Sequence, residues 1–180
     1  MQDFQTPPSV CRYMAALIPE YAKTVFEPTP GQGNLVQAVA DRGLHTITAA
    51  EDFFLVDKRL WFDCIIMNPP FSSKSAILDN APVEINARGM RAGYYILQEC
   101  MKMSDNIIAL MPWFTLTDSD VRLRTIKRFG LKSITSLPRK TFGYSRIQTV
   151  ILEMERNYSG NTIFHALEFE KNGQNILPIV

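Results

Sequence analysis

The sequence predicts an α/β domain: an open, mostly parallel sheet with helices on both faces and an antiparallel strand at one edge. Three observations carry that expectation. Strand-type and helix-type segments alternate along the chain, as crossover connections in a parallel sheet require. "FDCIIM", residues 62–67, closes on a continuous apolar run, the pattern of a strand covered on both faces. Toward the carboxyl end, "LKSITSLP" and "IQTVILEME" read as the last two strands, an antiparallel pair at the sheet's edge.

The elements follow in order. "TPPSVCRYMAALIP" reads as a short helix in which Thr6 can cap and the prolines suit the first turn. Val10, Met14 and Leu17 share one of its faces, and Pro19 limits it. "KTVFE" is a short strand, "PTPGQG" a turn, and "NLVQAVADRG" a helix with Leu35, Val36 and Val39 inward and Gly43 as its stop. "HTITAAEDFF" is β-rich at its start. After residue 71, "SSKSAILDNAPVEINARG" reads as an irregular loop and "AGYYILQECMKM" as a helix. "NIIALMPW" is a strand, and "DSDVRLRTIKRF" a helix capped by Asp118 or Ser119 and stopped near Gly130.

A chain of 180 residues fits one domain with a substantial core. Its 46% apolar and 21% charged residues exclude disordered and membrane classes, and no run approaches the roughly 18 apolar residues that span a bilayer. The N-terminus "MQDFQTPPSV" lacks the basic and apolar regions of a signal peptide, which points to the cytoplasm. Cys11, Cys64 and Cys100 are odd in number and far apart, a pattern that fits neither a disulfide framework nor a zinc site. His45 and His165 are isolated, and no metal is expected. Net charge is +1, so nucleic-acid affinity has to come from charge distribution. Between Val121 and Leu152 lie Arg122, Arg124, Lys127, Arg128, Lys132, Arg139, Lys140 and Arg146 with no acid among them. That run is either a solvated face or a phosphate-contacting surface.

Two strand ends carry the chemistry. In "VFEPTPGQGNL", Gly31 and Gly33 permit a tight turn and close approach of a ligand to the backbone. The stretch is neither G-x-G-x-x-G nor a P-loop, and a plain strand-to-helix turn reads equally well. Glu27, at the strand's carboxyl end, suits a cationic or amine-bearing ligand better than a phosphate. The second end is Asn68-Pro69-Pro70-Phe71. Each proline fixes φ and removes an N–H, which leaves the Pro69 carbonyl rigid and the Asn68 side-chain oxygen beside it as a second acceptor. Two fixed acceptors and an aromatic face make a socket for a planar group bearing NH₂; as a lone tetrapeptide the same residues read as a turn.

Taken in order, these segments resemble the class I S-adenosylmethionine-dependent amino-methyltransferases, most of all the adenine-specific N6 DNA methyltransferases. "FQTPPSVCRYMAALI" is similar to their N-terminal T-P-x-x segment, "VFEPTPGQG" to their cofactor loop, "DFFLVDKRLWFD" to their D-F-(L/F) segment, and "NPPF" to their catalytic motif. "LPRKTFGYSRIQTVILEME" is similar to their later strands, so the resemblance covers roughly residues 4 to 155. It implies a Rossmann-like methyltransferase sheet, S-adenosylmethionine as cofactor and DNA as partner. Glu27, Pro28, Gly31 and Gly33 would line the methionine moiety with Thr6 against it. Asp52 would accept from the cofactor's adenine amino group, with Phe53 packing on that ring. Asn68, which would also border the cofactor, and the Pro69 carbonyl, beside Pro70, would bind the target amino group, and Phe71 would stack on the target base. One stack returns about 1–3 kcal/mol against the few kcal/mol of flipping a base, so net binding needs phosphate contacts. The basic run and the loop after residue 71, with Lys74, Arg88 and Arg91, are the candidates.

The sequence departs from this family in one place. "LHTITAA" alone separates Gly43 from Glu51, too short for the strand, helix and strand usual there, so one βα unit is expected to be missing. Glu51 then either inherits the ribose contact or is a solvent-facing neighbour of Asp52. The chain reads as a single methyltransferase domain over residues 1–180 without a target-recognition domain, so selectivity would be loose unless an oligomer or specificity partner supplies it. Such a compact form resembles methyltransferases carried by phages and mobile elements. RNA, cytosine N4 or a protein glutamine as acceptor, and a degenerate binding relative, are the competing readings.

Overall fold

The structure, a computed structural model, describes residues 5–50, 52–71, 80–82, 92–142, 147–169 and 176–178. Helix α1 (Pro8–Ala16) leads into strand β1 (Thr24–Glu27), then helix α2 (Asn34–Ala40) and strand β2 (His45–Thr48). A 3-10 turn (Phe53–Leu55) precedes β3 (Cys64–Met67). Helix α3 (Ala92–Cys100), β4 (Asn106–Pro112), the short helix α4 (Phe114–Thr117) and helix α5 (Asp120–Phe129) follow. The chain closes with β5 (Leu131–Ser136), β6 (Thr149–Glu155), β7 (Ile163–Phe169) and β8 (Ile176–Pro178).

The strands form one sheet in the order β2-β1-β3-β4-β6-β5-β7-β8. β2, β1, β3 and β4 run parallel, β6 is antiparallel to both β4 and β5, and β7 runs parallel to β5. β5 and β6 are indeed an antiparallel pair, but they are neither the last strands nor the edge. β7 adds beyond β5, and β8 pairs antiparallel outside it. Among the described residues, one edge strand and one 3-10 turn stand between α2 and β3. This is the shortened segment that the spacing predicted.

Period-two alternation splits the core between the two sheet faces. On one face Phe26, Ile65, Met67, Ile107, Ala109 and Met111 pack under α3 and α5. On the other, Val25, Cys64, Ile66, Ile108 and Leu110 pack under α1 and α2. β3 and β4 are buried at every position, as parallel strands covered on both sides must be. Burying each such isoleucine contributes about 1.5–3 kcal/mol, which is how strands of only four residues hold their register.

Two local expectations need correction. The N-cap of α1 is Pro7, with Pro8 at the first helical position, so Thr6 lies one residue outside the helix and does not cap it. In α2 the buried residues are Leu35, Ala38 and Val39, and Val36 is only half-buried because the helix is short and turns its Ala38 flank to the sheet. The α5 cap is Ser119, whose side chain accepts from the Arg122 N–H, and Gly130 ends the helix at φ +129°. Among the described residues no helix is long and apolar enough to cross a membrane.

Candidate functional site

β1 is followed outward by β2, whereas β3 lies on β1's other side, so the strand order reverses between β1 and β3. Open α/β sheets bind ligands at the carboxyl ends of the strands flanking such a reversal. Here those ends are Glu27 and Asn68.

Glu27 is fully buried. Its Oε1 accepts from the Thr29 N–H at 2.9 Å and from the Thr29 hydroxyl at 3.3 Å, while Oε2 is buried with no hydrogen-bond partner. Desolvation dominates, partly opposed by the two Thr29 bonds, and pushes the carboxyl up to about 8. The same Thr29 hydroxyl also lies 3.4 Å from the Asn68 carbonyl, so one threonine links the β1 turn to the β3 turn. Asn68 donates from Nδ2 to the Thr6 hydroxyl at 2.9 Å. Thr6 is itself buried, and its carbonyl accepts from Asn34 Nδ2 at 3.0 Å and from Cys11 Sγ at 3.4 Å.

The glycine turn is built for close approach. Gly31 and Gly33 have φ of +52° and +83°, which an L side chain rarely adopts. The Gln5 side chain crosses above Gly31 and accepts from the Gln32 N–H at 3.3 Å. Pro28 is buried beneath this turn's entry. Across the site, Gly93 in the first turn of α3 faces the second motif. A β-carbon there would stand 3.1 Å from the Pro70 carbonyl and 3.3 Å from Pro69 Cγ. Pro69 is buried, while Pro70 and Phe71 are half-buried.

Asp52 caps the 3-10 turn: Oδ1 accepts from the Phe54 N–H and Oδ2 from Asn80 Nδ2, both at 3.0 Å. Phe53 is a core residue, and the Lys58 ammonium covers one face of its ring at 3.9 Å while donating to the Phe53 and Val56 carbonyls. The aromatic expected to meet an adenine ring is therefore engaged, and the half-buried Phe54 stands beside it, edge-on at 5.7 Å.

The basic run does not form one patch. α5 follows the carboxyl end of β4 and leads back to the amino end of β5, which runs parallel to β4. Its last turn therefore lies at the end of the sheet opposite Glu27 and Asn68. Lys127 there donates to the Thr162 hydroxyl, and Lys132 pairs with Glu153 and Glu155 at 3.0 and 3.5 Å. Arg139 and Lys140, exposed after β5, are on the site's end of the sheet, as is Arg122 at the start of α5, which lies over the Tyr94 ring. Arg124 bonds the Asp120 carbonyl within its own helix. Glu51, Lys74, Arg88, Arg91 and Arg146 lie outside the described residues.

Sequence reasoning missed Thr29, Asn34, Asn80 and Gly93. Gly93 carried a usable signal, since a glycine inside a helical pattern marks a close backbone approach. All three cysteines are free and buried, and burial pushes the Cys11 and Cys64 thiols up to about 12. Among the described residues no cluster of His, Cys, Asp and Glu side chains can hold a metal ion.

No protein-family model and no curated protein matches the sequence. Solved structures do match. The methyltransferase subunit of the type I restriction-modification system from Streptococcus thermophilus is 14% identical with a TM-score of 0.66, over 96% of this chain and 50% of that one. The EcoKI M protein, of a type I restriction enzyme, is 12% identical with a TM-score of 0.67, over 95% and 50%. The type IIG restriction endonuclease BpuSI is 15% identical with a TM-score of 0.62, over 94% and 27%. The likeness shows the fold: an open Rossmann-like sheet shared with these structures. The chain spans about half the length of the type I chains that it matches.

Proposed function

We propose that the chain transfers a methyl group from S-adenosylmethionine to the N6 amino group of adenine in DNA. The observation that carries this reading is the pairing, at the sheet's switch point, of a buried carboxyl oxygen without a partner and a rigid Asn-Pro-Pro-Phe turn. An orphaned Oε2 at the strand end that leads into a turn with two positive-φ glycines fits a ligand with a cationic head. Glu27, Gly31 and Gly33 would hold the amino-acid end of the cofactor, and the Asp52 turn its adenine end. When bound, the cofactor supplies an electrophilic methyl on a sulfonium.

The chain's own residues do the rest. Asn68 Oδ1 and the Pro69 carbonyl accept the two N–H bonds of the target amino group and draw its nitrogen toward tetrahedral geometry, which turns the lone pair outward. Phe71 supplies the face against which the base stacks. Catalysis is alignment and polarisation of a neutral amine. A thiol nucleophile has no place in it, because the cysteines are buried in their neutral form.

Gly93 bears on that alignment. Gly93→Ala favours the helix by about 0.5–1 kcal/mol, yet its methyl group presses on the Pro69 ring and the Pro70 carbonyl. The expected outcome is a transfer rate at least about tenfold lower with an unchanged or raised melting temperature, since sub-ångström misplacement is costly to a positioned reaction. Phosphate contact would fall to Arg139 and Lys140. Each change to alanine is expected to lower the salt-dependence slope of DNA binding by about one, while Lys127→Ala leaves it unchanged.

A cytoplasmic domain of this kind would take DNA as substrate and its selectivity from a partner subunit or a second copy. The structural neighbours named as modification or methyltransferase subunits support a partner of this kind. The test is transfer from labelled S-adenosylmethionine to DNA, RNA and protein in parallel, with mass spectrometry of the digests. N6-methyladenine in DNA supports the reading; label in N4-methylcytosine, RNA or glutamine moves the acceptor and overturns the adenine assignment.

A further inference from the structure

We propose that Thr6 is a positioning residue for Asn68, setting which end of its carboxamide faces the target rather than serving chiefly as a cofactor contact; this rests on the methyl-transfer reading above. A carboxamide has two ends of nearly equal size and a broad, two-fold terminal torsion, so packing alone does not choose between them. The choice matters, because only the oxygen can accept from an amino group. In the structure Nδ2 donates to the Thr6 hydroxyl at 2.9 Å, and Oδ1 is thereby directed to the other side.

The threonine that makes this choice is fixed through its backbone. Thr6 is 4% exposed. Its carbonyl is anchored by Asn34 Nδ2 of α2 at 3.0 Å and by Cys11 Sγ of α1 at 3.4 Å. It precedes Pro7 and Pro8, and a residue before proline is confined to extended backbone. The Asn68 backbone is tied separately, its carbonyl 3.4 Å from the Thr29 hydroxyl. An asparagine at the end of β3 thus takes its orientation from a threonine 62 residues earlier, and Thr6, which does not cap α1, acquires a role.

The discriminating pair is Thr6→Val, which keeps the shape without the hydroxyl, and Thr6→Ser, which keeps the hydroxyl. With Val, kcat is expected to fall about tenfold or more, the loss of one buried hydrogen bond, while the Kd for S-adenosylhomocysteine stays within about twofold. Ser restores the rate. A Kd that rises with kcat unchanged would make Thr6 a cofactor contact and overturn the proposal, and equal loss in Val and Ser would reduce it to packing. A second readout is independent of turnover: the Asn68 side-chain NH₂ resonances, slow to exchange in the wild type and in Ser, should lose protection in Val. If the wild type transfers no methyl group, the functional reading fails by itself, and these resonances still decide whether Thr6 orients Asn68. Unchanged protection in Val would overturn it.

Discussion

Asn68→Ala is expected to lower methyl transfer by about 10²–10³-fold, the usual loss when one preorganised partner of the reacting group is removed. The folded state should survive it, because Asn68 is half-buried at the end of β3 rather than a core residue. S-adenosylhomocysteine affinity is expected to change little, since this reading gives the cofactor's amino-acid end to Glu27 and the glycine turn. Stopped kinetics with intact calorimetric binding separates this outcome from unfolding. An undiminished rate in Asn68→Ala contradicts the role given to the turn.

Glu27→Gln is expected to act on both binding and stability, and pH distinguishes the two. Burial pushes the carboxyl up to about 8 in the folded chain, against 4.5 for an ordinary glutamate. Because the folded pKa is raised, the folded state retains the proton longer than the unfolded state. Stability is therefore full below about 4.5, declines as pH rises toward 8, and is level above it. Glutamine keeps an acceptor for Thr29 without the charge, so the variant should be the more stable one, by about 2–4 kcal/mol at pH 8 and by little at pH 4.5. Thermal melts across that window check the sign. A cationic ligand reverses the preference by favouring the carboxylate. Wild-type binding of S-adenosylhomocysteine should then tighten as pH rises toward 8, by up to about tenfold per pH unit, with proton release seen in the buffer dependence of the enthalpy. Glu27→Gln should weaken binding and flatten that dependence. Binding that is independent of pH in the wild type would remove Glu27 from the cofactor's cationic end.

Much of this site was legible in the sequence, for a physical reason. Strand ends are where ligands meet open α/β sheets, and both Glu27 and Asn68 follow short apolar runs that periodicity locates directly. The two prolines announced a rigid turn, and the short Gly43-to-Glu51 segment announced a trimmed sheet edge. What escaped depends on contacts between distant segments. Thr29 reads as an ordinary turn residue until the fold brings it to Asn68, 39 positions on. The basic run looked like one surface because sequence does not say that α5 reverses direction and carries Lys127 and Lys132 to the far end of the sheet. β7 was missed because Ile163, Phe164 and His165 are all exposed, so its first half lacks the alternation of a half-buried strand. Pairing with β5, which no local pattern encodes, makes it a strand.

The most direct measurement is a nucleoside digest of DNA from cells expressing the wild-type chain or Asn68→Ala, in a host without its own adenine methylation. N6-methyladenine present with the wild type and absent with the variant is the predicted result. Equal amounts in both, or none in DNA when purified wild-type chain binds S-adenosylhomocysteine, would contradict the assignment of Asn68-Pro69-Pro70-Phe71 as the methyl-accepting socket for DNA adenine.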